Sequence, residues 1–384
     1  MGILPHKLFY HREQVGQNGF VFVVDDTTKK QAYVTMSKRR VNDGQASSSK
    51  RHRPRGPSVS DVIDRHFSPN TNISLENDAK HLIKDLWQVQ DIFLPCANPC
   101  SILRKNLRQL KDGYVVGPKN DGVRLFALWG CDEKGNAEYA FVIDRTYTFF
   151  LFQADFVPAF SRIKRDDVFS GTLLDGELVD LGDGKAEYVV FDAIAVSGFS
   201  LTNTPHDERM RRASSVVNHI ANFPVPISMK DWRPVSETVD VWERASKTGH
   251  SDGVIFVKNT AALENGTNLS LFKLKQEHHI DFILRSSTLA YGRDGVVVDA
   301  STLGIQLDTT PSRVLDDAIA LSQTSTTPVV VECACAFSHD QVTARPVKLR
   351  TDKTTANDEY VVKATLQNIL EGLTVHDVVS ALAE

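Results

Sequence analysis

No apolar run in this 384-residue sequence approaches the ~18 residues that a membrane-crossing helix requires, so no membrane segment is expected. Nor is there an excess of either charge. The 44 Lys and Arg stand against 48 Asp and Glu, a net of -4 with histidines neutral. That balance excludes a polycation gripping nucleic acid through its overall field, and leaves only a local basic groove for such contact. Cysteine is scarce and odd in number: Cys96, Cys100, Cys131, Cys333 and Cys335. With no secretory signal at the N-terminus, this predicts a reducing compartment. The spacings within the two close cysteine pairs fit a four-thiolate zinc site poorly, so buried free thiols are expected. Internal repeats are absent too.

What is present changes character near residue 70. Residues 1–70 hold one short apolar stretch at 20–24, a candidate strand. A polar, basic segment follows, with too little apolar surface to fold alone. Its two clusters, Lys38-Arg39-Arg40 and Lys50-Arg51-His52-Arg53-Pro54-Arg55, have the form of a bipartite nuclear import signal at 38–55 or an RNA-holding arm, and equally of a solvated linker. Beyond it the pattern becomes regular. Helical spacing marks 79–89 and a stretch from a Ser101 cap to 110. Strands are expected at 113–118, 123–129, 139–143 and 148–152, then a hairpin of 178–181 and 187–191 turning at Asp183-Gly184. Helices at 206–222 and 237–246 precede strands at 253–258 and 270–274. From 280 to about 347 the pattern is mostly strand, and 357–383 is helical. This is an α+β chain built on antiparallel sheet.

The chemistry-bearing residues come in a fixed order. Lys119-Asn120-Asp121-Gly122-Val123-Arg124 joins two expected strands and alone reads as an ordinary hairpin. After it come Asp175-Gly176-Glu177-Leu178, Phe191-Asp192 at a strand end, Ser251-Asp252-Gly253, Lys273-Leu274-Lys275 and Arg350-Thr351-Asp352-Lys353. Any one of these could be a solvated face. Together, at the ends of apolar strands, they can converge on one groove.

The ordered set resembles the motifs of the covalent nucleotidyltransferase superfamily, which comprises mRNA capping enzymes and the ATP- or NAD-dependent polynucleotide ligases. The resemblance covers residues 93–384. It implies a nucleotidyltransferase domain with an ATP-grasp-like antiparallel sheet and an OB-fold β-barrel domain. It also implies that Lys119 carries the nucleotide. An attacking lysine amine must be deprotonated, although its free pKa is about 10.4. Partial burial and cations from Arg124, Lys273 and Lys275 favour the free amine and the transferring phosphate alike. Divalent Mg2+ or Mn2+ calls for oxygen ligands, for which Asp252 and Glu177 are the candidates. By the resemblance, Glu177 touches the ribose hydroxyls and Asp252 the metal.

Within the superfamily the likeness is to capping enzymes. The approach to Lys119, Val142-Ile143-Asp144-Arg145 and Ser228-Met229-Lys230-Asp231-Trp232 are all similar to that family, with Cys96 where its turn often has glycine. The resemblance places Lys230 at the guanine edge and stacks the base on Phe191. An ammonium only donates, and guanine offers the acceptors O6 and N7 where adenine offers an N6 donor. Asp252-Gly253 replaces the Glu-Gly usual in ligases. Ile280-Asp281-Phe282 matches the family's entry into the OB domain, with Asp281 needed for the first step. Arg350, Asp352 and Lys353 match its last motif, and Arg350 and Lys353 would orient the β- and γ-phosphates of GTP.

The expected organisation is an N-terminal extension (1–70), a nucleotidyltransferase domain (71–278), an OB domain (279–358) and C-terminal helices (359–384) packing back on the nucleotidyltransferase domain. The expected activity is GMP transfer from GTP, through lysyl-GMP, to 5′-diphosphate RNA. A polynucleotide ligase is the alternative, and a catalytically silent RNA-binding subunit a third reading. No Cys-x5-Arg phosphatase loop and no glycine-rich methyltransferase signature occurs. An RNA triphosphatase and a cap methyltransferase would therefore be separate partners, alongside RNA polymerase. The expected location is the nucleus, or for a viral source the replication compartment or virion.

Overall fold

The computed structural model describes residues 59–88, 97–132, 134–135, 137–152, 165–220, 223–338 and 341–384. The strand expected at 20–24, the basic clusters at 38–55 and Cys96 lie outside the described residues.

The first elements are α1 (Val59–His66), β1 (Phe67–Pro69) and α2 (Ile73–Trp87). Asn72 caps α2 by accepting from the N–H groups of Ser74 and Leu75, and Ala79, Ile83, Leu86 and Trp87 form its buried stripe. Next come β2 (Ala97–Ser101), a 3-10 helix over Arg104–Lys111, β3 (Tyr114–Asn120), β4 (Val123–Cys131), β5 (Glu138–Asp144) and β6 (Phe149–Phe152). α3 (Arg165–Phe169) leads into the long hairpin of β7 (Thr172–Gly182) and β8 (Lys185–Val196). β9 (Phe199–Ser200), α4 (His206–Val217), β10 (Ile227–Met229), β11 (Arg233–Pro234), α5 (Thr238–Thr248), β12 (Ser251–Lys258) and β13 (Gly266–Lys275) follow. The last stretch contains β14 (His278–Arg285), β15 (Thr288–Arg293), β16 (Val296–Asp299), β17 (Ile305–Leu307), α6 (Arg313–Thr324), β18 (Val329–Ser338), β19 (Gln341–Leu349), α7 (Glu359–Glu371) and α8 (Val375–Ala383).

Three sheets result. The first runs β1-β6-β5-β4-β7-β8-β10, with β9 paired to β8; the second runs β11-β3-β12-β13-β2; the third runs β16-β15-β14-β18-β19-β17. Pairing is antiparallel except β10 on β8, β2 on β13 and β17 on β19. The class is the α+β expected, built on three largely antiparallel sheets of eight, five and six strands.

Alternation along β4 shows how the first sheet is held. Leu125, Ala127 and Trp129 point into a core shared with α4, while Phe126 and Leu128 point into one shared with α2. Each fully buried side chain of this size contributes roughly 1.5–3 kcal/mol of transfer free energy. The second sheet packs on α5 and α8, the third on α6 and α7.

Several boundaries differ from the sequence reading. Ser101 does not cap a helix; it ends β2, opposite Lys273, and the helical turn starts at Arg104, where Asn106 accepts from the Leu103 N–H. Phe191-Asp192 does not end a strand but lies within β8. In the stretch read as mostly strand, Ser312 accepts from the Leu315 N–H and starts α6. The C-terminal helical stretch breaks at Gly372, which is left-handed (φ 54°). The C-terminal helices divide: Val375 and Val378 place α8 in the core of the second sheet, whereas Val362, Leu366 and Ile369 bury α7 in the core of the third.

Gly253, beside the candidate site, has φ +154°, and a Cβ there would lie 2.1 Å from the Leu274 carbonyl oxygen. Gly253→Ala is expected to cost about 3 kcal/mol of stability by forcing β12 from β13. Urea denaturation checks this, and an unchanged midpoint would show that the strand pair adjusts freely.

Candidate nucleotide site

Lys119 stands at the end of β3, one residue before the turn into β4. Two bonds fix that backbone: Ser251 Oγ donates to the Lys119 carbonyl at 2.7 Å, and the Asp121 N–H to His250 O at 3.0 Å. The turn is close-packed, since a Cβ on Gly122 would come 2.3 Å from Leu178 O. The irregular register of β12 on β3 between Ser251 and Val254 turns Asp252 toward this point. Lys119 Nζ lies 2.7 Å from Asp252 Oδ1, and Lys275 Nζ lies 2.7 Å from Asp252 Oδ2. The sequence reading surrounds Lys119 with cations. Its nearest charge in the structure is instead this carboxylate, shared with a second lysine.

Burial opposes ionisation of Asp252, but Lys119 and Lys275 outweigh it and hold the carboxyl below its ordinary value. Lys273, opposite Ile255 in the ladder, is pushed down by burial first and then by Lys275 and Lys119.

A second group faces it across the groove. Arg124 sits opposite Glu177 in the β4–β7 ladder. Its guanidinium makes a two-pronged pair with Asp175, with Nε 2.9 Å from Oδ1, and donates from Nη1 to Ala97 O at 2.8 Å. Phe191 has two cations near its ring, the centroid 5.2 Å from Arg124 Cζ and 5.2 Å from Lys230 Nζ. Lys230 is buried rather than on the surface. It donates to Pro118 O at 2.9 Å and lies 5.6 Å from the Trp232 ring. Burial pushes its ammonium down to about 8, with help from Lys119 and Arg124 and against Glu177. Glu177 is pushed upward by burial, against Lys230, Lys119 and Arg124. A cleft of about 230 Å³ lined by Pro118, Asn120, Val189, Arg244, Ala245 and Thr248 lies against α5, and none of these site side chains lines it.

Eight of the residues chosen from sequence thus converge: Lys119, Arg124, Glu177, Phe191, Lys230, Asp252, Lys273 and Lys275. The other four form a cluster of their own. Asp281, on β14, accepts from Arg350 Nη1 at 3.0 Å on both oxygens and from Lys353 Nζ. Arg350 also bonds Asp352 through Nε and Nη2, and Glu332 lies 3.5 Å away. Arg350 and Lys353 are therefore paired to acids on and beside the third sheet. The sequence reading missed Asp175, although its motif was in view, and the roles of Trp232 and Glu332. Asp175 pairs with Arg124, 51 residues away, and Trp232 and Glu332 meet His206 and His279 only in the fold.

Facing sheets with a lysine, cations and a flanked aromatic ring in this motif order define the nucleotidyltransferase class. The family model for the mRNA capping enzyme, catalytic domain, matches residues 68–277, and the chain belongs to that family. It is 28% identical over 217 residues to the mRNA-capping enzyme subunit alpha of Saccharomyces cerevisiae, covering 50% of this chain and 47% of that one. The same subunit of Schizosaccharomyces pombe is 26% identical over 323 residues, covering 75% and 79%. The chain spans about half the length of the Saccharomyces relative. Among solved structures, the ATP-dependent DNA ligase of bacteriophage T7 in complex with ATP aligns over 67% of this chain and 98% of its own, with 13% identity and a TM-score of 0.36.

Asp252→Asn would leave two ammoniums facing each other without their shared counter-charge, and a loss of about 2 kcal/mol is expected at neutral pH. A carboxyl held low in the fold stabilises above its unfolded value and loses that contribution as pH falls through its folded value. Melting curves of the two proteins should therefore converge on acidification below about pH 4. A constant gap would mean that the ion pairs do not set the difference.

Proposed function

We propose that the chain is a GTP:RNA guanylyltransferase that works through a lysyl-GMP intermediate. The observation that carries this reading is the meeting of Lys119, Asp252 and Lys275 at 2.7 Å contacts beside Phe191 with its two cations. In the first step Lys119 Nζ, having lost a proton to solvent, attacks the α-phosphorus of GTP. The N–P bond forms, the bond to the β-phosphate bridging oxygen breaks, and pyrophosphate leaves. In the second step a β-phosphate oxygen of 5′-diphosphate RNA attacks the same phosphorus, the P–N bond breaks, and Lys119 regains a proton. Lys273, Lys275 and Arg124 stabilise charge on the phosphates, Glu177 orients the ribose, and the base stacks on Phe191 with Lys230 donating to its acceptor edge.

Asp252 and Glu177 suit a divalent cation such as Mg2+ or Mn2+. Both Asp252 oxygens face cations in the groove, Lys119 and Lys275, where a divalent ion would find an ionised carboxylate. Among the described residues no three His, Cys, Asp or Glu side chains gather as a metal cage. Substrate phosphates would complete the oxygen set, as is usual for Mg2+. When bound, the ion neutralises phosphate charge.

The third sheet, the proposed OB domain over 279–358, brings Arg350 and Lys353 to the β- and γ-phosphates, which must first displace Asp281 from both. Asp281 would hold the two cations ready for the first step, with Asp352 steadying Arg350. Family membership supports RNA processing in the nucleus, with a separate triphosphatase, a cap methyltransferase and RNA polymerase as partners. No helix among the described residues is long and apolar enough to cross a membrane.

Incubation with α-labelled GTP and Mg2+ or Mn2+, then denaturing electrophoresis, should leave label on the protein, and Lys119→Ala should abolish it. Labelling by ATP in place of GTP would make the chain a ligase.

Only a charged Lys230 is a pure, charge-assisted donor, because the neutral amine also presents a lone pair to the acceptor edge of guanine. With that group pushed down to about 8, kcat/KM for GTP should fall about tenfold per pH unit above that value. Lys230→Arg should move the fall to higher pH, and identical profiles would remove Lys230 from base recognition.

A further inference from the structure

Phe191 occupies a weak point in its sheet. The β7–β8 register passes from Gly176↔Val190 to Asp175↔Asp192, so Phe191 is the extra residue of a β-bulge and has no cross-strand partner. A bulge re-aims a side chain, and whatever fixes the neighbouring residue fixes that aim. The neighbour is Asp192, and it is bolted from below. Arg209, on the first turn of α4, is only 2% exposed and pairs with both Asp192 oxygens, Nε to Oδ1 at 2.7 Å and Nη2 to Oδ2 at 2.9 Å. Its Nη1 donates to Thr204 O at 2.6 Å and to Ala261 O at 2.8 Å. Thr204 belongs to the segment entering α4, while Ala261 follows β12 in the second sheet. One guanidinium therefore ties the bulge to both sheets behind the groove.

The same turn supports the other side of the ring. His206, three residues before Arg209 and so on the same helix face, packs edge-on against Trp232 at 5.1 Å. Trp232 in turn lies under Lys230. Asp192 also stands beside Asp175, so the two carboxylates lie side by side between the two arginines that pair with them, Arg124 on Asp175 and Arg209 on Asp192.

We propose that Arg209 is a positioning residue for purine recognition, acting through Asp192 to hold the bulged Phe191 ring in place beside Arg124 and Lys230. This rests on the guanylyltransferase reading for its kinetic consequence but not for its geometry. A buried ion pair invites a bland explanation, that it only holds the fold together. The two explanations part when both charges are removed at once, because an apolar pair of similar size commonly restores stability but cannot reproduce a two-pronged grip.

The test compares Arg209→Met, Arg209→Lys and the double variant Arg209→Met with Asp192→Leu, using the full chain, by melting temperature, GTP labelling kinetics and crystal structure. Arg209→Met should raise the GTP KM about tenfold or more, change the saturating labelling rate less than about threefold, and weaken the preference for GTP over ATP. Arg209→Lys should recover only part of the KM. The double variant should regain the wild-type melting temperature and keep the raised KM, with the Phe191 ring displaced from its place beside the two cations. If it regains KM as well, or if the ring stays in place, Arg209 is structural and the inference is overturned. If wild-type protein takes no label from GTP, the guanylyltransferase reading fails, and the ring position in the double variant still decides this inference.

Discussion

Two lysine ammoniums cannot share a partly buried groove without a counter-charge between them, and Asp252 is that counter-charge. Most of the surrounding architecture serves to bring those three groups together. β12 lies between β3 and β13, so one strand sets the positions of both lysines. The register irregularity after Ser251 and the left-handed Gly253 let the carboxylate reach both at once. Arg124 and Asp175 repeat the arrangement on the facing sheet, where burial makes an unpaired charge costlier still.

How much of this could be read from the sequence depended on whether the determining partner was local. The long strands of the first two sheets were legible because the apolar run of β4 and the spacing in α2 are local signals of burial, whereas the short strands β1, β2, β9, β10 and β11 were not. The convergence of eight residues was legible through motif order. What escaped was set by partners far along the chain. The bulge at Phe191 exists only against β7, and nothing within β8 announces that its ladder skips a residue. Asp175 stood in view without a role, since its partner Arg124 is 51 residues away. α6 was legible and was misread: Ser312 and the spacing of Val314, Leu315, Ala318 and Ile319 are helix signals, but the strands around them set the expectation.

The cluster on and beside the third sheet shows a different economy of charge. Arg350 and Lys353 face Asp281, Glu332 and Asp352, two positive groups against three negative. Such a cluster satisfies its own hydrogen bonds and needs no anion to be stable. Any phosphate that recruits these cations has to compete with carboxylates already in place, so recruitment is an exchange of partners rather than the filling of a gap. The groove around Lys119 is balanced otherwise, with the buried Lys230 and the neighbouring Glu177 each pushed toward its neutral form.

The break at Gly372 has a mechanical meaning. The third sheet joins the rest of the chain by two covalent crossings, one at Gln276–Glu277 between β13 and β14, the other at Gly372 between α7 and α8. Both Gln276 and Gly372 line a single cleft of about 500 Å³, so the crossings run side by side. A body pinned at two neighbouring points is constrained like a door on a double pin, held more firmly against sliding and twisting than against turning about the line through them. α8, clipped by Arg104 to Asp377, is then part of the door frame, and α7 is part of the leaf.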